Sequence, residues 1–350
     1  MDLKSRADFS ACDKNWLCVR RKNQSSHCSA EWIILPVLIF LISIFPYAGD
    51  VVAEQPATGN HHHIEMFADK PHPDYEYLAY RMVRHEVTDR NGLTTDITSR
   101  YSAAAIIPGP TIIMDEGDVA DITLYNQIPN PERIELHENV SLHVHGVHYD
   151  IISDGTLKYI NLVQDEGATL VQSYTYRWNA APGTAGTWPY HDHNMNTHNG
   201  AEDKGLFGAL IVNPASNIAA INQGGSSQAI SLSSIEKDYI LYILDDTFVG
   251  TEINRQTGQQ IPIWTNPTLS AQSGSNIRLH LIALGTNLHQ FKLPGYSWPE
   301  PGTPNIIEEK AIGPLEKHVV VIQAGSNSSY MDTTFAGKAQ NMIGSLNVNP

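Results

Sequence analysis

The sequence predicts an all-β protein of two domains, and three observations carry that prediction. From about Glu54 onward, short runs of alternating or β-branched apolar residues are broken by Gly, Pro, Asn and Asp. Long amphipathic stretches of helical period, which a mixed α/β fold needs, are few. The two halves also repeat a phrase. Gly109-Pro110-Thr111-Ile112 followed by Glu116-Gly117-Asp118 recurs as Asn266-Pro267-Thr268-Leu269 followed by Ser273-Gly274-Ser275. Each copy reads as a Pro-led strand, a Gly turn and an alternating strand, so an internal duplication with one core per unit is expected.

In chain order, residues 1–53 are expected to be a cytoplasmic leader with a signal peptide or membrane anchor. The apolar run Trp32–Tyr47 is preceded by Arg20, Arg21 and Lys22, and basic flanks of this kind hold that end in the cytoplasm. Cleavage and retention as an anchor both stay open. Either way the remainder is expected to be extracytoplasmic, secreted or anchored to the outer face of the membrane by residues 32–47. Residues 54–212 are expected to form the first domain, with strands at Ala120–Tyr125 and Gln172–Trp178. Residues 213–234 read as a linker, because they are small, polar and Gly/Ser-rich. Residues 235–350 are expected to form the second domain, with strands at Tyr239–Leu244 and Asn276–Leu284.

Composition narrows the function. With 41% hydrophobic and 17% charged residues the chain should fold rather than stay disordered. Its net charge of -15 argues against nucleic acid or an anionic membrane surface as a main partner. All three cysteines, Cys12, Cys18 and Cys28, precede the apolar run. The part beyond it therefore has no disulfide, and it lacks the thiolate that a blue-copper centre requires.

The chemistry-bearing residues are two His-x-His pairs. Ser141–Asp150 (SLHVHGVHYD) carries His143 and His145, and Gly186–His193 (GTWPYHDH) carries His191 and His193. Residues two apart on a strand point to one face, so each pair aims two imidazoles at one place. Imidazole suits copper and zinc without help from a thiolate. One such pair is weak evidence of a metal, since core and turn histidines are common, but two pairs in one domain are far stronger.

The phrases GPTIIMDEGD at Gly109, SLHVHG at Ser141, GTWPYHDH at Gly186 and GLFGALIVNP at Gly205 resemble the first domain of multicopper oxidases of the two-domain, laccase-like type. The stretch from Asn266 to Trp298 resembles their last domain. The resemblance implies two Greek-key cupredoxin β-barrels and copper as the metal. It implies a type 2 copper position for His143 and type 3 positions for His145, His191 and His193. It also implies that half of the family's eight cluster histidines are replaced, by Lys292, Pro294, Met331 and Thr333. Of the blue-copper positions, His289 and Met342 remain, while Asp332 and Gly337 stand for the cysteine and the second histidine.

Three readings follow from the match and its departures. The first is an exported copper-binding protein that is not an oxidase by itself, with zinc as the other metal its ligands suit. The second is a laccase-like oxidoreductase completed by a copper-protein partner that supplies the missing ligands. A homotrimer of the kind these enzymes form would instead offer the Lys292 ammonium, which repels a cation. The third is a non-catalytic cupredoxin scaffold. Among the remaining histidines, His61, His62 and His63 are expected in a solvated tail. His148 and His198 are expected to face solvent or support the ligands from behind, and Met195 to pack. His72, His85, His137, His280 and His318 are expected to be structural.

Overall fold

Side chains along His61–Asp69 alternate between buried and more open, the mark of a strand with one face on a core. The computed structural model describes residues 59–72, 77–128, 140–156, 173–193 and 205–350. Residues 1–53, with the three cysteines and the apolar run, lie outside the described residues, as do His137, Met195 and His198. No described helix is long and apolar enough to cross a membrane.

The first domain contains β1 (His61–Asp69), β2 (Ala79–Thr88), β3 (Thr94–Asp96), β4 (Thr111–Asp115), β5 (Val119–Asn126), β6 (His143–Val144), β7 (Ser173–Asn179), β8 (Gly186–His191) and β9 (Phe207–Asn213). They form one sheet in the order β3-β2-β1-β5-β7 and a second in the order β4-β9-β8-β6. Both sheets mix parallel and antiparallel pairs: β1 runs parallel to β5, and β4 to β9. The segment expected as a plain linker has structure of its own. It is a hairpin of β10 (Ile218–Gln223) and β11 (Ser226–Ser231), turned at Gly224-Gly225 with both φ positive, which is the two-residue turn that suits twisted strands. Ile221 and Leu232 pack there with Ile235 and Val321 of the second domain.

The second domain contains β12 (Ile235–Ile243), β13 (Phe248–Asn254), β14 (Gln260–Ile263), β15 (Thr268–Gln272), β16 (Asn276–Ala283), β17 (His289–Lys292), β18 (Trp298–Pro299), β19 (Ile306–Ile307), β20 (Glu309–Ile312), β21 (Lys317–Gln323), β22 (Ser328–Asp332) and β23 (Ile343–Asn349), with one short helix, α1 (Phe335–Ala339), before β23. Its sheets run β14-β13-β12-β16-β21 and β15-β23-β22-β17-β20. The parallel pairs of the first domain recur as β12 with β16 and β15 with β23.

The repeat read from the sequence is a repeat of structure down to single contacts. The Tyr190 hydroxyl donates to the Pro110 carbonyl, and the Tyr330 hydroxyl donates to the Pro267 carbonyl. Each tyrosine ring lies where a side chain on the opposite strand would be, so Gly208 and Gly344 have no room for a Cβ. The turn glycines Gly117 and Gly274 both have positive φ, and their N–H groups donate to the carbonyls of Ala180 and Ala324.

Each domain has its own core, and the first domain's core extends onto the second. Tyr239, Leu241 and Ile243 pack into the second domain, while Ile240 and Tyr242 join the first domain's core with Val249, Ile253 and Ile282. β12 is thus covered on both faces, which is why Tyr239–Leu244 reads as an unbroken apolar run instead of an alternation.

Candidate metal centre

The site lies on the sheet β4-β9-β8-β6, where β6 pairs with β8 so that His143 lies opposite His191. Beyond β6, Gly146 turns the chain at φ +75, and Trp188 covers it so closely that a Cβ there would fall 1.9 Å from the indole. Lys317, from β21, places its Nζ 4.1 Å from the Trp188 ring centre. A residue with a side chain at Gly146 would meet both the backbone penalty and the indole. Gly146→Ala is therefore expected to destabilise the protein by about 1–3 kcal/mol and to shift Trp188 emission. An unchanged melting temperature and spectrum would show that Trp188 yields freely.

The four sequence-nominated histidines come together. Ring centroids are 4.8 Å apart for His143 and His145, 5.4 Å for His145 and His191, and 4.9 Å for His143 and His193. The ligand atoms of His143, His145 and His191 lie within 4.8 Å of one another. His193 adjoins this group through its ring, 5.9 Å from His191, and is not part of the three-ligand set.

Backbone carbonyls fix which ring nitrogens are free. Nδ1 of His143 donates to the Asp154 carbonyl, and Nδ1 of His191 donates to the Asp192 carbonyl at 2.8 Å. Each leaves Nε2 with its lone pair. The His145 and His191 Nε2 atoms face each other at 3.2 Å, the disposition of two donors that can share one cation. Ser141 holds the strand ends in register: its N–H donates to Asp192, and its hydroxyl oxygen accepts from the His193 N–H.

Electrostatics favours a metal over protons here. Burial lowers His191 to about 3, against a raising hydrogen bond from Asp192. Burial, then His143 and Lys317, lowers His145 to about 4. Burial lowers His143 too, with the Asp154 carbonyl opposing. At neutral pH these rings are neutral ligands that need lose no proton to bind a cation. The donor set, three imidazoles of which His143 and His191 have their tautomers fixed, fits copper.

The equivalent place in the second domain is built differently. β17 pairs with β22 so that Lys292 lies opposite Met331, the counterpart of His143 opposite His191. Lys292 instead reaches Glu309 at 3.4 Å. Deeper in, the buried Asp332 carboxylate accepts from His289 Nδ1 at 2.9 Å, from the Gln290 and Thr334 N–H groups and from the Thr334 hydroxyl. Although burial acts to raise it, the Gln290 and Thr334 N–H groups hold the Asp332 carboxyl below its ordinary range. Asp332 also fills the space a side chain at Gly337 would need, 2.3 Å from its Cβ position. Met342 is fully buried nearby in the core.

The other histidine expectations divide. His85, His280 and His318 are buried and bonded, to Tyr101, Thr187 and Trp298 respectively. His148 is exposed and its backbone pairs with Asn179. The solvated tail expected at His61–His63 is a correction: all three belong to β1, and His62 is buried, bonded to His85 at 2.9 Å and to Asp118 at 3.2 Å. Asp154 and Lys317 were missed, since neither has a spacing signal and both reach the site by tertiary folding.

Residues 98–217, which include all four histidines, match the family model for multicopper oxidase. A probable nitrite reductase-hydroxylamine oxidoreductase fusion protein of Kuenenia stuttgartiensis is 26% identical over 233 residues, covering 63% of this chain and 24% of that protein. Laccase abr2 of Aspergillus fumigatus is 35% identical over 113 residues, covering 31% of this chain and 16% of that laccase. The chain thus spans about a quarter and about a sixth of these relatives' lengths. Among solved structures, the blue copper oxidase of Nitrosomonas europaea superposes with a TM-score of 0.50 at 18% identity, covering 82% of this chain and 85% of that one, a likeness of fold alone. The matched family model is one of copper enzymes by its name, and zinc gains no support from it.

Proposed function

We propose, on the premise that this chain is a member of the multicopper oxidase/cupredoxin family, that its first domain binds copper through His143, His145 and His191, with His193 completing the set. The observation that carries this is the pair of Nε2 atoms of His145 and His191 facing each other at 3.2 Å, beside His143. Bound copper would supply one-electron redox chemistry and a site for oxygen-donor ligands. The chain's own part is to hold the ligands. The Asp154 and Asp192 carbonyls select the tautomers, the Ser141–Asp192 bonds tie the two strand ends together, and Trp188 closes over the Gly146 turn.

The chain is proposed not to be an oxidase by itself. The register that sets Lys292 and Met331 where the first domain has His143 and His191 supports this, as does the carboxylate of Asp332 bonded to His289. Four retained histidines favour a second reading, in which a partner chain brings the complementary ligands and completes an oxygen-reducing centre. Export of residues beyond the apolar run is part of the same proposal.

The test is copper retained by the full chain after loading and desalting, beside His143→Ala/His191→Ala. Wild type is expected to keep at least about one copper per chain more than the variant, and its dioxygen consumption alone to stay at background. Equal copper in both proteins would end the reading of a self-sufficient copper site and leave either a partner-dependent site or a scaffold whose histidines only pack.

A further inference from the structure

We propose a second metal site on the outer face of the sheet, where His61, His63 and Asp121 bind a divalent imidazole-preferring cation, Cu2+ ahead of Zn2+, with water completing the coordination.

The strand pattern brings these residues together. His61 and His63 stand two apart on β1 and so share the outward face, whereas His62 between them points inward and takes the structural role. On β5, which runs parallel to β1, Asp121 is in register with His63. His61 Nε2 lies 2.8 Å from Asp121 Oδ2, and the two imidazole rings are 4.1 Å apart between centroids. One ligand atom from each of the three residues lies within 4.8 Å of the others, so a single ion can reach them all. Two imidazoles, one carboxylate and water form a donor set suited to Cu2+ and Zn2+, with Cu2+ favoured by the usual affinity order.

The surrounding charges keep the face receptive to a cation. Glu86 lies opposite His63 on β2, so a carboxylate flanks that ring on each side. Arg177 donates to Asp121 from the far side, 3.0 Å from Oδ1 and 3.3 Å from Oδ2, and Arg84 reaches Glu86 at 2.7 Å. These arginines orient the carboxylates and compete with the ion for them, so the site is expected to be of moderate affinity and readily loaded. His61 and His63 have no part in the first-domain centre, and neither is needed in the core.

The test titrates the full-length protein with Cu2+ alone, followed by electron paramagnetic resonance, and repeats the titration with Zn2+ as competitor. Wild type is expected to bind about one equivalent more than His61→Ala/His63→Ala, and Asp121→Asn to weaken that equivalent about tenfold or more. The same difference is expected in the His143→Ala/His191→Ala background, which separates this site from the first-domain centre. Should the double variant misfold, ring-proton spectra of His143→Ala/His191→Ala give the same answer: substoichiometric Cu2+ is expected to broaden His61 and His63 before His72. Equal stoichiometry and affinity in wild type and His61→Ala/His63→Ala, or no early broadening of the two rings, would overturn the proposal.

Discussion

Acidification from pH 7 to 4.5 without copper is expected to unfold the protein, with buried histidines leading the transition. Burial is the first cause in each case: it lowers His85 and His191 to about 3 and His280 and His318 to about 4. In the unfolded chain such rings titrate near about 6.5. The unfolded state therefore binds protons first as pH falls through about 6.5, and stability declines until the folded pKa values are reached. Each ring removes up to about 1.4 kcal/mol per pH unit within that window, and four together up to about 5.6. Against a native stability of about 5–15 kcal/mol, this puts the acid midpoint between about pH 4 and 6. His145, lowered to about 4 but more open, adds to the trend. Copper that binds only the folded state should move the midpoint down. His318→Gln, which keeps an acceptor for Trp298, should make the transition shallower. A melting temperature unchanged from pH 7 to 4.5 would contradict this account.

The second large effect is expected at Asp238, at the junction of the domains. Its carboxylate is fully buried and bonds to Arg278 Nε at 2.7 Å, Arg278 Nη2 at 2.8 Å and Arg255 at 2.8 Å. Burial alone would raise it, but the Arg278 guanidinium holds the Asp238 carboxyl far below the usual range. Arg278 also reaches Asn213 at 3.4 Å, and His280, beside it on the same sheet face, bonds to Thr187 of β8. That strand carries His191, so the ionic cluster supports the candidate centre from the second domain. Asp238→Ala leaves a buried guanidinium without its charge partner and is expected to cost about 3–5 kcal/mol, a fall in melting temperature on the order of 10 °C. Copper retention should weaken less than in His191→Ala, because the ligands themselves remain. A melting temperature close to wild type would mean that water or Asn213 takes over the arginine.

Much of this protein is legible along the chain, wherever the deciding interaction is local. The period of two marks Ala120–Tyr125 as a strand, and the observed β5 is Val119–Asn126. The same period predicts that His143 and His145, and His191 and His193, form face-sharing pairs, and their rings do gather. The repeated phrase predicts the duplication, which the Tyr190 and Tyr330 bonds reproduce.

Other features depend on neighbours distant in sequence. Three consecutive histidines contain no apolar alternation, so β1 is invisible at that point, and only pairing with β2 and β5 separates the buried His62 from the outward His61 and His63. The Gly/Ser-rich stretch reads as a linker by composition, yet Gly224-Gly225 closes a hairpin whose apolar side finds Val321. Asp154, Lys317 and Asp238 have no sequence signature because their roles depend on partners brought close by folding. The sequence by itself therefore determined the all-β class, the duplication and the two face-sharing His-x-His pairs, because strand period and a repeated phrase are read locally, whereas the meeting of the two pairs needs β6 to lie beside β8. Only the tertiary structure decided which ring nitrogens stay free, which charges lie beside them and which histidines are buried, because burial and hydrogen bonding are set by contacts between distant strands.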